Sequence, residues 1–283
     1  MQSDDLSTES APAIPNPQSL ARTYQHPSYE DPWQAVIDYR RVMDAAAEHP
    51  ERGSHVIASM LNLPRSRIRP WLDDGSMPDA ARAVQVADTN GWLVREHDTD
   101  TARGLAGLVA WIFAGGSINQ PWFVPYFAIR RSDEHSLDRL ETICRWYNIE
   151  LQEASRADID PLGRATEYRP AGHGSILGRC LATAGAPVGA KAAADLSIPD
   201  WLYRAPDTTR ETFTAVYIAE RATRIEPYRY QFSEENRDDG WLRELGEFIV
   251  DVAGDGECWI SSQNITFDKA ATDALDRTVD TTF

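Results

Sequence analysis

The sequence predicts an α+β protein in which an N-terminal all-helical module is followed by a larger body that runs helix, strands, helix, strands, and then repeats that plan. Three observations carry this expectation. Apolar residues recur at helical spacing through most of residues 31–95. From Gly104 onward, helical stretches alternate with short runs rich in aromatic and β-branched residues. The arrangement that begins at Gly104 begins again at Phe213.

The chain has 283 residues, 42% hydrophobic and 10% aromatic, enough for a substantial core. Residues 1–30 are rich in Ser, Pro, Asp and Glu and poor in aliphatics, so they are expected to form a disordered tail. Lys and Arg number 28 against 44 Asp and Glu, a formal charge of −16. Taken as a sum, that charge disfavours a polyanionic partner, because phosphate contacts require positive charge; the local distribution therefore decides. An acidic surface over an ordinary core also fits a high-salt cytoplasm of the kind halophilic archaea keep, where repulsion is screened within a few ångströms. Cys144, Cys180 and Cys258 lie far apart with no CxxC or Cys/His cluster, so core thiols are expected rather than disulfides or a zinc site. The first twenty residues lack a basic, then apolar, leader pattern, and the apolar run Leu105 to Ala114 is too short to cross a bilayer. A cytoplasmic protein is expected.

The helical module starts at Asp31-Pro32, with Pro at a first helical position and Trp33, Val36, Ile37, Arg40 and Met43 at helical spacing to about Glu48. Between Ser54 and Leu72, Ala58, Asn62 and Ile68 match the spacing of a helix-turn-helix. They supply a small residue in the first helix, a turn residue tolerant of left-handed backbone, and an apolar residue facing back from the second helix. On that alignment Arg65, Ser66 and Arg69 point outward from a recognition helix with Arg67 beside them, at the place where phosphates and guanine edges of a major groove are met. Pro70 is expected to kink that helix. Residues 51–69 carry four arginines against one glutamate, opposite in sign to the chain as a whole. Asp79 to Asn90 reads as a further helix, and Gly91-Trp92-Leu93 as the closing turn. The acidic run Glu96 to Asp100 reads as a linker.

In the body, Leu105 to Ala114 reads as a buried helix, its small residues Gly107, Ala110 and Ala114 allowing a second helix to approach closely. Trp122 to Ile129 reads as strand, Leu137 to Tyr147 as helix, and Ile149 to Gln152 as strand. The second copy runs from a small-residue helix, Phe213 to Ala222, through strand Tyr228 to Phe232 and helix Trp241 to Val252. Strands at Cys258–Ile260 and Ile265–Phe267 and a last helix ending near Thr278 complete it.

The run Leu-Ala-Gly-Leu-Val followed by Ala-Gly-Gly-Ser-Ile resembles the signature helix of the LAGLIDADG homing endonuclease family. Two connecting pieces, Gly185-Ala-Pro187-Val-Gly189-Ala-Lys191 and Ile198-Pro199-Asp200-Trp201, resemble the Gly-Pro-Gly-Lys turn and Ile-Pro-x-Trp segment that the family carries before its second signature helix. The resemblance covers roughly Gly104 to Phe283. It implies a pseudo-twofold duplicated αββαββα domain over 101–283, with halves 101–200 and 205–283, behind a helix-turn-helix domain at 31–95.

In that family each signature helix ends in an acidic residue, and the two carboxylates hold divalent metal for phosphodiester cleavage. Here the first such position is Gly115, and no Asp or Glu occurs from Thr101 to Ser132. The second helix admits two registers, one placing Glu220 and the other Arg221 in the acidic position. The resemblance therefore implies a catalytically inactive scaffold with no metal or other cofactor. The alternative is a Mg²⁺-dependent endonuclease using Glu220. Strands of family members lie along the major groove, so the corresponding residues here, Arg130 and Arg131 in one half and Arg224, Arg229 and Tyr230 in the other, are DNA-binding candidates. The implied function is sequence-specific binding of double-stranded DNA, as a transcriptional regulator without a membrane partner. With the pseudo-twofold inside one chain, a monomer suffices and a dimer is not excluded.

Overall fold

The computed structural model describes residues 14–130, 132–154, 166–191, 196–225, 229–234, 237–261 and 263–283. The chain divides into two compact units, residues 14–93 and 94–283.

The smaller unit is all helix: α1 (Pro17–Arg22), α2 (Pro32–Glu48), α3 (Ser54–Leu61), α4 (Arg65–Asp73) and α5 (Asp79–Thr89). Residues 14–30, expected as part of a tail, belong to it. Asn16 caps α1 by accepting from the Gln18 and Ser19 amides, Leu20 and Ala21 are fully buried, and Arg22 grips the Asp31 carboxylate with two nitrogens. Two buried aliphatics were enough to order a segment whose average composition is polar. Asp31 in turn caps α2 through the Trp33 amide. Val42, Ala45, Ile57, Ala58, Ile68 and Trp71 form the core, with Tyr39 edge-on to Trp71 at 5.6 Å. The turn between α3 and α4 hinges on Asn62, whose backbone is left-handed (φ 53°, ψ 43°) as the sequence anticipated. Pro64 stands one position earlier than the first helical residue, as the N-cap of α4. The helix runs through Pro70 to Asp73, because burial of Ile68 and Trp71 on both sides of the proline outweighs one missing backbone bond.

The larger unit is α+β. Its first half runs α6 (Asp100–Ala114), β1 (Ser117–Ile118), β2 (Pro125–Ala128), α7 (Ser136–Trp146), β3 (Leu151–Ala154), β4 (Glu167–Pro170) and α8 (Gly174–Thr183). A 3-10 turn at Leu202–Arg204 precedes the second half: α9 (Asp207–Arg221), β5 (Thr223–Ile225), β6 (Arg229–Ser233), α10 (Asp239–Ala253), β7 (Cys258–Ser261), β8 (Asn264–Phe267) and α11 (Lys269–Thr282). Each half contributes one antiparallel four-stranded sheet, ordered β1-β2-β4-β3 and β5-β6-β8-β7. The registers match as well as the order. Phe127 pairs with Tyr168 as Phe232 does with Ile265, and Gln152 pairs with Arg169 as Trp259 does with Thr266.

Helix α6 is buried all round from Gly104 to Ala114, which explains its uninterrupted apolar sequence. It packs along α9: Arg103 Nε donates to Thr212 Oγ1 (3.3 Å), and Phe113 meets Phe213 edge-on at 6.2 Å while stacking on Trp241 at 5.1 Å. The glycines of α6 serve a different neighbour from the one expected. A Cβ at Gly104 would strike Tyr147, and one at Gly107 would strike Ile143, both on the α7 side, so the glycines seat α7. The connecting motifs engage each other: Trp201 Nε1 donates to the Ala184 carbonyl at 2.8 Å, and Gly185, at φ 101°, lies where a Cβ would strike Pro199.

The strand expected over Trp122 to Ile129 shortens to Pro125–Ala128 because residues 119–124 turn back on α8. The two-residue β1, strand β4 and helix α8 had no counterpart in the sequence reading. His173, with a left-handed backbone (φ 54°), is the N-cap of α8. Tyr228, the expected start of β6, lies outside the described residues. Cys144 and Cys180 are buried free thiols that burial pushes well above the ordinary range, as expected of core cysteines; Cys258 is half-buried. No helix among the described residues is long and apolar enough to cross a membrane.

Candidate nucleic-acid interface

Paired residues on neighbouring strands point to the same side of a sheet, so the registers assign every strand side chain to a face. In the second sheet, Phe232, Ile265, Phe267 and Cys258 face inward, under α10 and α11; Gly246 of α10 sits against Cys258 and Ile265. The opposite face carries Thr223, Arg229, Gln231, Ser233, Trp259, Ser261, Asn264 and Thr266. Among these described residues there is no carboxylate, in a chain whose charge is −16. Arg229 lies 5.4 Å over the Trp259 ring, Gln231 Nε2 donates to Thr266 Oγ1 (3.1 Å), and Ser233 Oγ to Asn264 Oδ1 (2.6 Å). The matching face of the first sheet carries Ser117, Tyr126, Ala128, Gln152, Ala154, Glu167 and Arg169.

This division corrects part of the candidate set. Arg224 and Tyr230 belong to the inward face, where both bind Asp276 of α11. Tyr230 donates its hydroxyl to Asp276 Oδ1 at 2.6 Å, and Arg224 pairs with the same oxygen. They tie β5 and β6 to the last helix. Only Arg229 of the three stands on the open side. The sequence distinguishes these cases poorly, because a single slip of register exchanges the faces.

Arg130 also has a structural task. Its Nη1 donates to the Ala222 carbonyl at 2.6 Å and to that of Ala219 at 3.4 Å, satisfying the last turn of α9. Helix C-termini leave unpaired carbonyls and a partial negative charge, which a guanidinium neutralises. Lys191 does the same for α6, donating Nζ to Ile112 (2.7 Å) and Phe113 (3.2 Å) carbonyls. Burial, reinforced by the nearby Arg237 and Arg221 cations and opposed by Glu234, brings Lys191 down to about 8. Arg131 lies outside the described residues.

At the ends of the paired helices, Glu220 and Arg221 diverge. Glu220 turns to the first half, its Oε1 accepting from Arg139 Nη2 (2.7 Å) and Nε (3.2 Å), its Oε2 from Ser136 Oγ (2.7 Å); Asp133 completes the cluster on Arg139. Arg221 stays with its own half, Nη2 donating to the Ser233 carbonyl (2.9 Å) and Nε to the buried Glu234 (2.8 Å), which also accepts from Tyr217 (2.8 Å). By register, Ser233 corresponds to Ala128, whose carbonyl accepts from Trp111 Nε1 of α6 at 2.9 Å. Glu220 and Arg221 both lie in the last turn of α9, and Gly115 caps the end of α6. The side chains at these helix ends do not suit a divalent cation: Gly115 has none, Arg221 is itself cationic, and the Glu220 carboxylate is already bound to a guanidinium.

In the helical unit, Arg65 and Ser66 are exposed at the start of α4, and Arg65 makes no ion pair among the described residues. Arg69 is exposed but drawn along the helix to Asp73 (3.4 Å). Arg67 folds back, its guanidinium 4.3 Å over the Tyr29 ring and its Nη2 donating to the Ser28 carbonyl at 3.4 Å. Sequence spacing placed it beside the outward face; the aromatic from the preceding loop captures it. Arg139 was missed because nothing local marks a residue whose partner lies 81 positions away; Glu234 and Arg237 were missed as well, though they pair with each other three residues apart. Lys191 stood inside a quoted motif, but its role needed the end of α6 beside it.

No family model matches this chain, and no curated protein matches it.

Proposed function

We propose that this chain binds double-stranded DNA sequence-specifically, as a transcriptional regulator working in the cytoplasm. In this reading a helix-turn-helix formed by α3 and α4 is joined to a catalytically inactive, duplicated LAGLIDADG-like scaffold. The observation that carries the reading is the open face of the second sheet. An acidic chain spends its carboxylates freely, yet this face has none among the described residues and offers Arg229, Gln231, Asn264 and Trp259, groups that meet phosphates and base edges. Arg65 and Ser66 extend the reading to α4. At the helix ends, Gly115 has no side-chain oxygen and Glu220 is bound by Arg139, which supports loss of cleavage.

Mobility shift of the full chain with fragmented genomic DNA across a salt series tests the proposal. Discrete shifts that weaken steeply with salt are expected; absence of any salt-dependent shift overturns it. Incubation of supercoiled plasmid with Mg²⁺ addresses the endonuclease alternative. Unchanged topology is expected, and nicking abolished by Glu220→Gln would establish the nuclease instead.

A further inference from the structure

We infer that Trp122 is a wedge that inserts between base steps of bound duplex; this rests on the DNA-binding reading above. Trp122 is 70% exposed, the most exposed large hydrophobic side chain among the described residues. It stands at the tip of the β1–β2 connection beside exposed Gln120 and Pro121. A single exposed aromatic is too small for a protein-docking patch, which needs a broad apolar centre. One planar ring is enough to unstack a base step.

The tip is held rigidly. Phe123 N donates to the Asn119 carbonyl (2.9 Å) and Val124 N to Asn119 Oδ1 (2.8 Å), closing the turn on itself. Behind it, the Phe123 carbonyl rests on Gly178 of α8 so closely that any Cβ there would overlap it, and the Arg179 guanidinium lies 4.1 Å over the Phe123 ring. Phe123 adopts a left-handed backbone (φ 56°), a conformation that costs a bulky residue energy and that the packing behind it enforces. The result is a backbone that holds Trp122 at the tip of a fixed turn. A wedge requires this, because pushing base pairs apart costs free energy that a loose loop would avoid by yielding.

The electrostatic surroundings fit a polyanion. From Thr101 to Ser132 there is no Asp or Glu, and none from Gly174 to Lys191, the stretch that backs the loop. Trp122 therefore stands in a stretch of chain that itself brings no carboxylate to a phosphate beside it.

The test uses the full chain, a genomic fragment that it retains in a mobility shift, and the same fragment carrying single 2-aminopurine substitutions. Binding of wild type is expected to raise 2-aminopurine emission at one step, the sign of unstacking. Trp122→Ala is expected to abolish that rise and to weaken binding about tenfold or more, with the thermal midpoint unchanged because the side chain is exposed. Trp122→Phe should restore part of the signal. If wild type retains no fragment, the DNA-binding reading fails and the wedge with it. If wild type binds and Trp122→Ala leaves the emission rise intact, or if sedimentation places Trp122 in a self-association contact, the wedge alone is overturned.

Discussion

Arg139 of α7 and Glu220 of α9 form an ion pair across the two halves of the larger unit, Nη2 to Oε1 at 2.7 Å, with both side chains nearly closed to solvent. Ser136 satisfies the second Glu220 oxygen, and Asp133 accepts from the same Arg139 nitrogen, Nη2. Where kinship with a metal-dependent scaffold would call for a free carboxylate, the chain has a neutralised one. Burying such a pair contributes little by itself, but breaking it strands a charge. Arg139→Met is expected to destabilise the protein by about 3–5 kcal/mol in urea unfolding, and the double variant Arg139→Met, Glu220→Leu to recover most of that loss. An additive double variant would show that the two groups are not coupled.

Arg65 and Arg67 are two residues apart on α4 and are expected to behave differently. Arg65→Ala should leave stability unchanged, weaken DNA binding and reduce the magnitude of the salt slope by about one. Arg67→Ala should cost about 1 kcal/mol of stability through loss of the Tyr29 contact, with a smaller change in the salt slope. Paired measurements of unfolding and salt-dependent affinity check both.

Lys191 has a pH signature. Its folded value, about 8, is below its ordinary 10.5, so between those values the unfolded chain holds a proton that the folded chain has released. Stability from this group is present above about 10.5 and is lost as pH falls through about 8. Relative to Lys191→Met, wild type is expected to gain stability as pH rises from 8 toward 10. Tyr147 and Tyr217, held well above their usual range by burial, act in the opposite sense above about pH 10 in both proteins. Urea midpoints at half-unit steps resolve the difference; parallel curves would refute it.

Gly178 and Gly172 make a packing comparison. Gly178→Ala drives a methyl into the Phe123 carbonyl and is expected to cost about 3 kcal/mol or more, whereas Gly172→Ala, with nothing within 4 Å, is expected to change stability by less than about 0.5 kcal/mol. Thermal unfolding of the two variants decides it.

The sequence by itself determined the α+β class, the order of most helices, the left-handed turn at Asn62 and the burial of α6, because each is written in local spacing or in one residue's backbone preference. It also located the absence of carboxylates from Thr101 to Ser132. Only the tertiary structure decided which arginines are free. Arg67, Arg130 and Arg224 each look available in one dimension, and each is claimed by a group from another element: the Tyr29 ring, the carbonyls ending α9, and Asp276. Glu220 and Arg221 are adjacent in sequence, and the fold sends them to different partners, Arg139 of the first half and Glu234 of the second. Side-chain charge is a local property, but its availability depends on long-range neighbours, and those are fixed only when the chain closes on itself.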